Sequence, residues 1–186
     1  MIEVRLLFPE DAAEFQRLRL EGLRESPTAF SASYEDECNS DPARVAERIS
    51  SDSRRGIFGA FAGDEVVGIA GFQREGGRKL EHKAFIWGMY VTPRWRRRGI
   101  GRQLVERVLS HAAEQPGLRR VNLGVNASNA AAIGLYEAVG FKSYGVEQAF
   151  LVVDDIEHDE ILMAYVIPRN DEADTAGGHS GIIGNL

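Results

Sequence analysis

The stretch Met89-Tyr90-Val91-Thr92-Pro93-Arg94-Trp95-Arg96-Arg97-Arg98-Gly99-Ile100-Gly101-Arg102 runs from an apolar strand, past a proline, through a basic glycine-containing loop and into a helix. The first turn of a helix has four amides without internal partners, and its dipole adds partial positive charge there. Glycines at 99 and 101 carry no side chain, so a phosphate can come close to the backbone. Arg94, Arg96, Arg97, Arg98 and Arg102 supply formal charge. The combination describes a pyrophosphate site. The Walker form is disfavoured, because Arg102-Gln103 follows Gly101 where Lys-Ser/Thr is needed. The dinucleotide form is disfavoured too, because its third glycine is Leu104 here.

Downstream, Ile100, Leu104, Val105, Val108, Leu109 and Ala112 recur at helical spacing over residues 98–114, and Pro116-Gly117 stops the helix. Val121, Leu123 and Val125 alternate as a strand. Ser128 can cap a helix running to Val139, which Gly140 ends. Two strands follow, about 141–153 and 159–167, with the acidic turn Asp154-Asp155-Ile156-Glu157 between them. Upstream, residues 56–62 and 65–75 flank a Gly63-Asp64 hairpin turn. Gly76-Gly77 turns the chain into a strand over 81–92, with Phe85, Trp87, Met89 and Val91 on one face.

At the start, Ile2, Val4, Leu6 and Phe8 alternate as a strand. Pro9 then opens a helix with the apolar face Phe15, Leu18, Leu20 and Leu23, ended by Ser26-Pro27. Residues 26–40 read as a loop. Asp41-Pro42 caps and begins a second helix through Val45 and Ile49. The order β-α-α-β-β-β-α-β-α-β-β implies a mixed sheet covered by helices. Residues 169–186 have few apolar residues before Ile182-Ile183 and read as a flexible tail beyond a single domain over 1–168.

Composition narrows the function. With 186 residues, 44% hydrophobic and 27% charged, the chain can bury a core as one domain. No run of 18 or more apolar residues suggests a membrane helix. The beginning Met1-Ile2-Glu3-Val4-Arg5 lacks the pattern of a secretory signal. Cys38 is the single cysteine, so an internal disulfide is excluded and no metal site is expected. These features favour a cytoplasmic protein. A net charge of -6 argues against a nucleic-acid partner, and Trp95 is the only aromatic interleaved with the arginines.

A second block, Val125-Asn126-Ala127-Ser128-Asn129 through Leu135-Tyr136 to Gly140-Phe141, follows the first by about thirty residues. Together with Arg96-x-x-Gly99-x-Gly101, it resembles the GNAT superfamily of N-acetyltransferases, whose acetyl-CoA loop is usually Gln/Arg-x-x-Gly-x-Gly/Ala. Element order agrees over roughly residues 2–167, and residues 87–102 and 125–141 carry the specific motifs. The resemblance implies an α/β fold of the α+β type: a mixed, mostly antiparallel sheet of about seven strands flanked by four helices. It implies direct transfer from acetyl-CoA to an amine.

On this resemblance, Met89, Tyr90 and Val91 would hold the pantetheine and acetyl carbonyl, and a backbone amide near Met89 would stabilise the oxyanion. Arg96, Arg97, Arg98, Gly99, Ile100, Gly101 and Arg102 would hold the pyrophosphate. Asn129 matches the CoA-contacting asparagine, and Tyr136 the general acid, a phenol able to protonate the leaving thiolate. The same residues also serve plain structural roles, Asn129 as a helix start and Tyr136 as packing with Ile133 and Val139.

The base stays open. Lys83 stands where some members carry a glutamate. Glu81, His82, Glu35, Glu37 and a water chain are the alternatives. Phe30, Tyr34, Glu35, Trp87 and Phe150 are candidate acceptor-lining residues, their aromatic and acidic character suiting a cationic amine. The acceptor could be a small-molecule or amino-acid-like amine, or a protein N-terminus or lysine. A non-catalytic acyl-CoA-binding module is the third reading. Dimerisation through the final strands is common in the family.

Overall fold

Gly63, at φ +65°, turns the chain tightly enough for β2 (Arg55–Ala62) and β3 (Glu65–Arg74) to pair antiparallel. The same alternation builds β1 (Ile2–Leu6), β4 (Lys83–Val91), β5 (Arg120–Asn126), β6 (Lys142–Val153) and β7 (Ile156–Val166). In the computed structural model, which describes residues 1–50, 52 and 54–168, these form one sheet ordered β1-β2-β3-β4-β5-β7-β6. Every neighbouring pair is antiparallel except β4–β5. The expected fold class is the one observed. The tail expected over 169–186 lies outside the described residues.

Helices cover both faces. On one face, α4 (Ile100–Ala113) and α5 (Ala130–Val139) pack over a core that includes Phe58, Phe72, Leu104, Val108, Val121 and Met163. The helical stripe read from the sequence is the buried one: Leu104, Val105, Val108 and Ala112 are 0% exposed. Each such Leu or Val contributes about 1.5–3 kcal/mol by leaving water. On the other face, α1 (Ala12–Glu25) and α3 (Pro42–Ile49) enclose Phe15, Leu18, Val45, Ile49, Ile69 and Tyr90. Asp41 caps α3 as expected, its Oδ1 accepting the Ala43 amide at 2.8 Å.

Some boundaries differ from the sequence reading, for local reasons. The 26–40 loop contains a 3-10 turn at Pro27–Ala29 and a one-turn helix, α2 (Tyr34–Glu37), so there are five α-helices among the described residues rather than four. Ser33 caps α2 by accepting the Asp36 amide. Ser128 does not cap α5, because its amide and hydroxyl both donate to Asn126 Oδ1, at 2.9 and 2.6 Å. The helix begins one residue later, on Asn129, whose Oδ1 accepts the Ala132 amide at 3.1 Å. The last hairpin closes through Asp154 and Asp155 alone, at φ 52° and 61°, so β7 starts at Ile156. Two consecutive positive-φ residues are what a tight two-residue hairpin demands. Glu81 and His82 precede β4 instead of lying in it.

Candidate active site

β4 pairs with β5 over only three residues, Lys83–Phe85 against Arg120–Asn122. Beyond Phe85 and Asn122 the two strands part, which leaves the edge of β4 facing a gap. The opposite edge stays bound to β3, where Gly71 pairs with Trp87 and Ile69 with Tyr90. One β3 residue, Ala70, therefore faces two of β4, Gly88 and Met89. This is a bulge, and Gly88 adopts φ +63° within it. A bulge re-aims backbone amides, and here it does so beside the gap.

At the C-terminal end of β4 the loop turns through positive φ at Arg97 (59°) and Gly99 (76°) before α4 begins. Among the described residues, the amides of residues 97–102 donate no hydrogen bond to the protein; the first helical bond runs from Gln103 to Gly99, at 3.1 Å. Successive unpaired amides at a helix start form an anion-binding concavity. The bare surface of Gly101 is enclosed: a Cβ there would lie 3.1 Å from Leu135 Cδ2 and 3.3 Å from Met89 Cε. The glycine thus lets α4, α5 and β4 converge at one point.

The arginines divide sharply. Arg96 donates to Glu25 at 2.6 and 3.0 Å and, through Nε, to the Val91 carbonyl at 2.8 Å. It is a strut between α1 and the end of β4, and it holds the Glu25 carboxyl below its ordinary value. Arg94 pairs with Glu65 and Arg102 with Glu106. Arg97 and Arg98 have no carboxylate partner among the described residues, and Arg98 sits 4.6 Å from the Trp95 ring centroid. The guanidinium groups at hand for a phosphate are therefore Arg97 and Arg98. Arg96 and Arg102, which the motif adds, are committed to carboxylates.

Asn129 serves the α5 cap through Oδ1, which leaves its amide nitrogen without a protein partner among the described residues. Tyr136 is 5% exposed, edge-on to Phe141 with centroids 5.8 Å apart. Burial pushes its phenol above the ordinary value, so it stays protonated. Met89 and Val91 pack toward the α4–α5 core, whereas the Tyr90 ring points to the other face. There its hydroxyl donates to Glu21 Oε1 at 3.1 Å. Only the backbone of Tyr90 is left for the gap.

A cavity of about 270 Å³ opens where β4 and β5 separate. Of the aromatic candidates read from the sequence, Phe30, Trp87 and Phe150 line it. Tyr34 and Glu35 do not line it: the Tyr34 ring lies 3.8 Å from the Arg24 guanidinium carbon, and Glu35 is exposed on α2. Helix α2 packs Tyr34 against the core under α1 and α3 and leaves Glu35 in solvent, a local fold the loop reading could not include. Glu37 is likewise unavailable as a base, since Arg19 and Arg48 hold it at 2.9 and 3.1 Å.

The cavity also has walls to which the sequence reading gives no role: Asn126 from β5, within the second block, and Arg19 from α1 and Asp159 and Glu160 from β7, outside either motif. Asn126 ties β5 to the 26–30 turn, its Nδ2 donating to the Thr28 carbonyl at 3.1 Å. The sequence reading gives Gly124 no role, although a glycine inside a strand is a sign of a close approach. Among the described residues there is no cluster of potential metal ligands, and no helix is long and apolar enough to cross a membrane.

Comparison with known proteins agrees with this geometry. Residues 20–141 match the family model described as Acetyltransferase (GNAT) family. The chain is 36% identical over 85 residues to the [ribosomal protein bS18]-alanine N-acetyltransferase of Escherichia coli, a match covering 46% of this chain and 57% of that one. The chain thus spans little more than half the length of that relative. It is 32% identical over 136 residues to an uncharacterized N-acetyltransferase of Mycobacterium bovis, covering 73% of this chain and 82% of the other. The structure of yncA from Salmonella typhimurium with its cofactor acetyl-CoA superposes with a TM-score of 0.75 at 18% identity, over 94% of this chain and 99% of that one. The unpaired loop amides, the parted strands and the match across most of the chain place it in the GNAT acetyltransferase family.

Proposed function

We propose that this chain is an acetyl-CoA-dependent N-acetyltransferase that passes the acetyl group directly to the primary amine of a small or amino-acid-like acceptor. The observation that carries the reading is the parting of β4 from β5 after Phe85 and Asn122, with the unpaired amides of residues 97–102 at the same end of β4. A pantetheine arm fits such a gap as an added strand, hydrogen-bonded to the free edge of Met89–Val91. The amides of 97–102, aided by Arg97 and Arg98, suit its pyrophosphate. Acetyl-CoA supplies an activated thioester. The Gly88–Met89 bulge aims an amide at the carbonyl oxygen, where a preformed donor is worth several kcal/mol as charge develops. Tyr136 holds a proton for the departing sulfur. Asn129 offers its free amide nitrogen to the same ligand.

The acceptor side is small and mixed in character. A cavity of about 270 Å³ takes an amine head group, not a whole drug-sized ligand. Its aromatic walls, with Asp159 and Glu160, favour a cationic amine. A second reading, acetylation of a peptide N-terminus, is favoured by the likeness to the Escherichia coli ribosomal-protein alanine N-acetyltransferase. In that case the terminal residue would fill the cavity and the peptide would run outside it.

Isothermal titration with acetyl-CoA, beside thiol-release assays on amino acids, polyamines and alanine-ended peptides, tests the proposal. Expected are micromolar binding, turnover with one acceptor class, and loss of binding in Gly101→Glu, whose side chain would drive into Leu135 and Met89. Absence of binding in the wild-type protein would overturn the reading.

A further inference from the structure

Neither motif supplies a base for the acceptor, which enters as an ammonium and must lose a proton before it can attack. The structure puts one carboxylate in position. Glu160 on β7 stands in register with Asn126 of β5 on one side and Glu147 of β6 on the other. Its side chain folds back over Gly124. A Cβ at Gly124 would sit 2.1 Å from Glu160 Cδ and 2.2 and 2.3 Å from its two oxygens. The strand therefore has a glycine where the carboxylate needs room. Gly124 lies two residues past Asn122, the last β5 residue paired with β4, so the carboxylate lines the cavity where the gap opens.

Its surroundings leave it unclaimed. No hydrogen-bond donor or cation among the described residues is bonded to it, whereas the carboxylates of Glu25 and Glu37 are held by arginines and that of Asp159 accepts the Ala149 amide at 2.9 Å. The charged groups around it are few. Glu147 faces it across the β6–β7 pair, Asp159 is its chain neighbour, His158 stands two residues back along β7, and Arg19 stands on the α1 wall of the cavity, already paired with Glu37. The Thr28–Ser31 turn and the Phe85–Gly88 segment of β4 bring no titratable group. Burial, and then the like charge of Glu147, push the Glu160 carboxyl above its ordinary value. That shift brings a base closer to its working pH.

We infer that Glu160 is the group that takes the proton from the acceptor amine, an inference that rests on the acetyl-transfer reading above. The ammonium gives one proton to a Glu160 oxygen, and the freed lone pair forms the C–N bond at the thioester carbonyl carbon. The C–S bond breaks, and the departing sulfur takes the Tyr136 proton. The proton shed by the new amide nitrogen restores the phenol through solvent, and Glu160 returns its own to water. The sum is ammonium plus acetyl-CoA giving amide, CoA thiol and one proton. No electrons are gained or lost overall.

The test is the pH profile of kcat/KM for thiol release, with acetyl-CoA affinity measured by calorimetry on the same samples. Glu160→Gln should lower kcat/KM at neutral pH by about 100-fold or more. It should abolish the acidic limb, regain activity as the amine deprotonates in solution, and bind acetyl-CoA like the wild type. Gly124→Ala, which crowds the carboxylate, should show the same loss with binding intact. Glu147→Gln should stay active and move the acidic limb to lower pH, because it removes a like charge that raises Glu160. Wild-type kcat/KM in Glu160→Gln, or a loss that leaves the acidic limb in place, overturns the assignment while acetyl-CoA binding keeps the transfer reading standing. A wild-type protein that neither binds acetyl-CoA nor releases thiol overturns both.

Discussion

Tyr136 and Arg96 show how a residue's surroundings decide what it can do. Tyr136 sits against Phe141 in the core, and burial alone raises its phenol, so it stays protonated throughout the working range. Tyr136→Phe keeps the ring and its packing and removes only the hydroxyl. The expected outcome is a drop in kcat of about 100-fold with unchanged acetyl-CoA affinity, read by thiol release and calorimetry. An equal fall in thermal stability would instead mark the hydroxyl as structural. Arg96 was legible as a motif residue, but its bidentate bond to Glu25 was not, because the partner lies 71 residues away in sequence. Asn129 reads both as a helix start and as a candidate ligand contact, and its two ends leave room for both: Oδ1 caps α5 while the nitrogen has no protein partner among the described residues.

At the scale of elements, α1, α2 and α3 are joined by one buried carboxylate. Glu37 of α2, 8% exposed, accepts from Arg19 of α1 at 2.9 and 3.2 Å and from Arg48 of α3 at 3.1 Å. Burial pushes its carboxyl up, but the two guanidinium groups outweigh that and leave it below the ordinary 4.5. A depressed folded value means that the group's contribution is complete above the unfolded value and is lost as pH falls through the folded one. Thermal melts should therefore show a stability loss setting in below about pH 4.5 that is weaker in Glu37→Gln. At neutral pH, Glu37→Gln itself should cost about 3–5 kcal/mol, because it strands the buried Arg19 charge. A neutral-pH melting curve equal to wild type would rule out this joint. The acids at 35–37 were visible in the sequence as a loop cluster. Which of them turned inward depended on the Ser33 cap and the short helix it starts.

For the whole molecule, the sheet places two chemically different halves on either side of the β4–β5 gap. The unpaired loop amides lie at one end of β4, and the mixed cavity lies beside Gly88 and Gly124. A ligand spanning loop and gap ties α4, β4 and α5 together and should stabilise the fold by mass action. Acetyl-CoA at about 100 times its Kd is expected to add about 2.7 kcal/mol. For a chain of this size that raises the melting temperature by about 5–10 °C. Differential scanning fluorimetry checks this, and Gly101→Glu should show no shift. The sequence by itself determined the strands, the long helices, the α3 cap and the basic glycine loop before α4, because alternation, helical period, caps and glycine freedom are local properties of neighbouring residues. Only the tertiary structure decided which arginines lack a carboxylate partner among the described residues, that Tyr34 and Glu35 do not line the cavity, and that Glu160 lies over Gly124. Those outcomes depend on strand register and on partners distant in the chain, where pairing one residue earlier or later would turn each side chain to the opposite face.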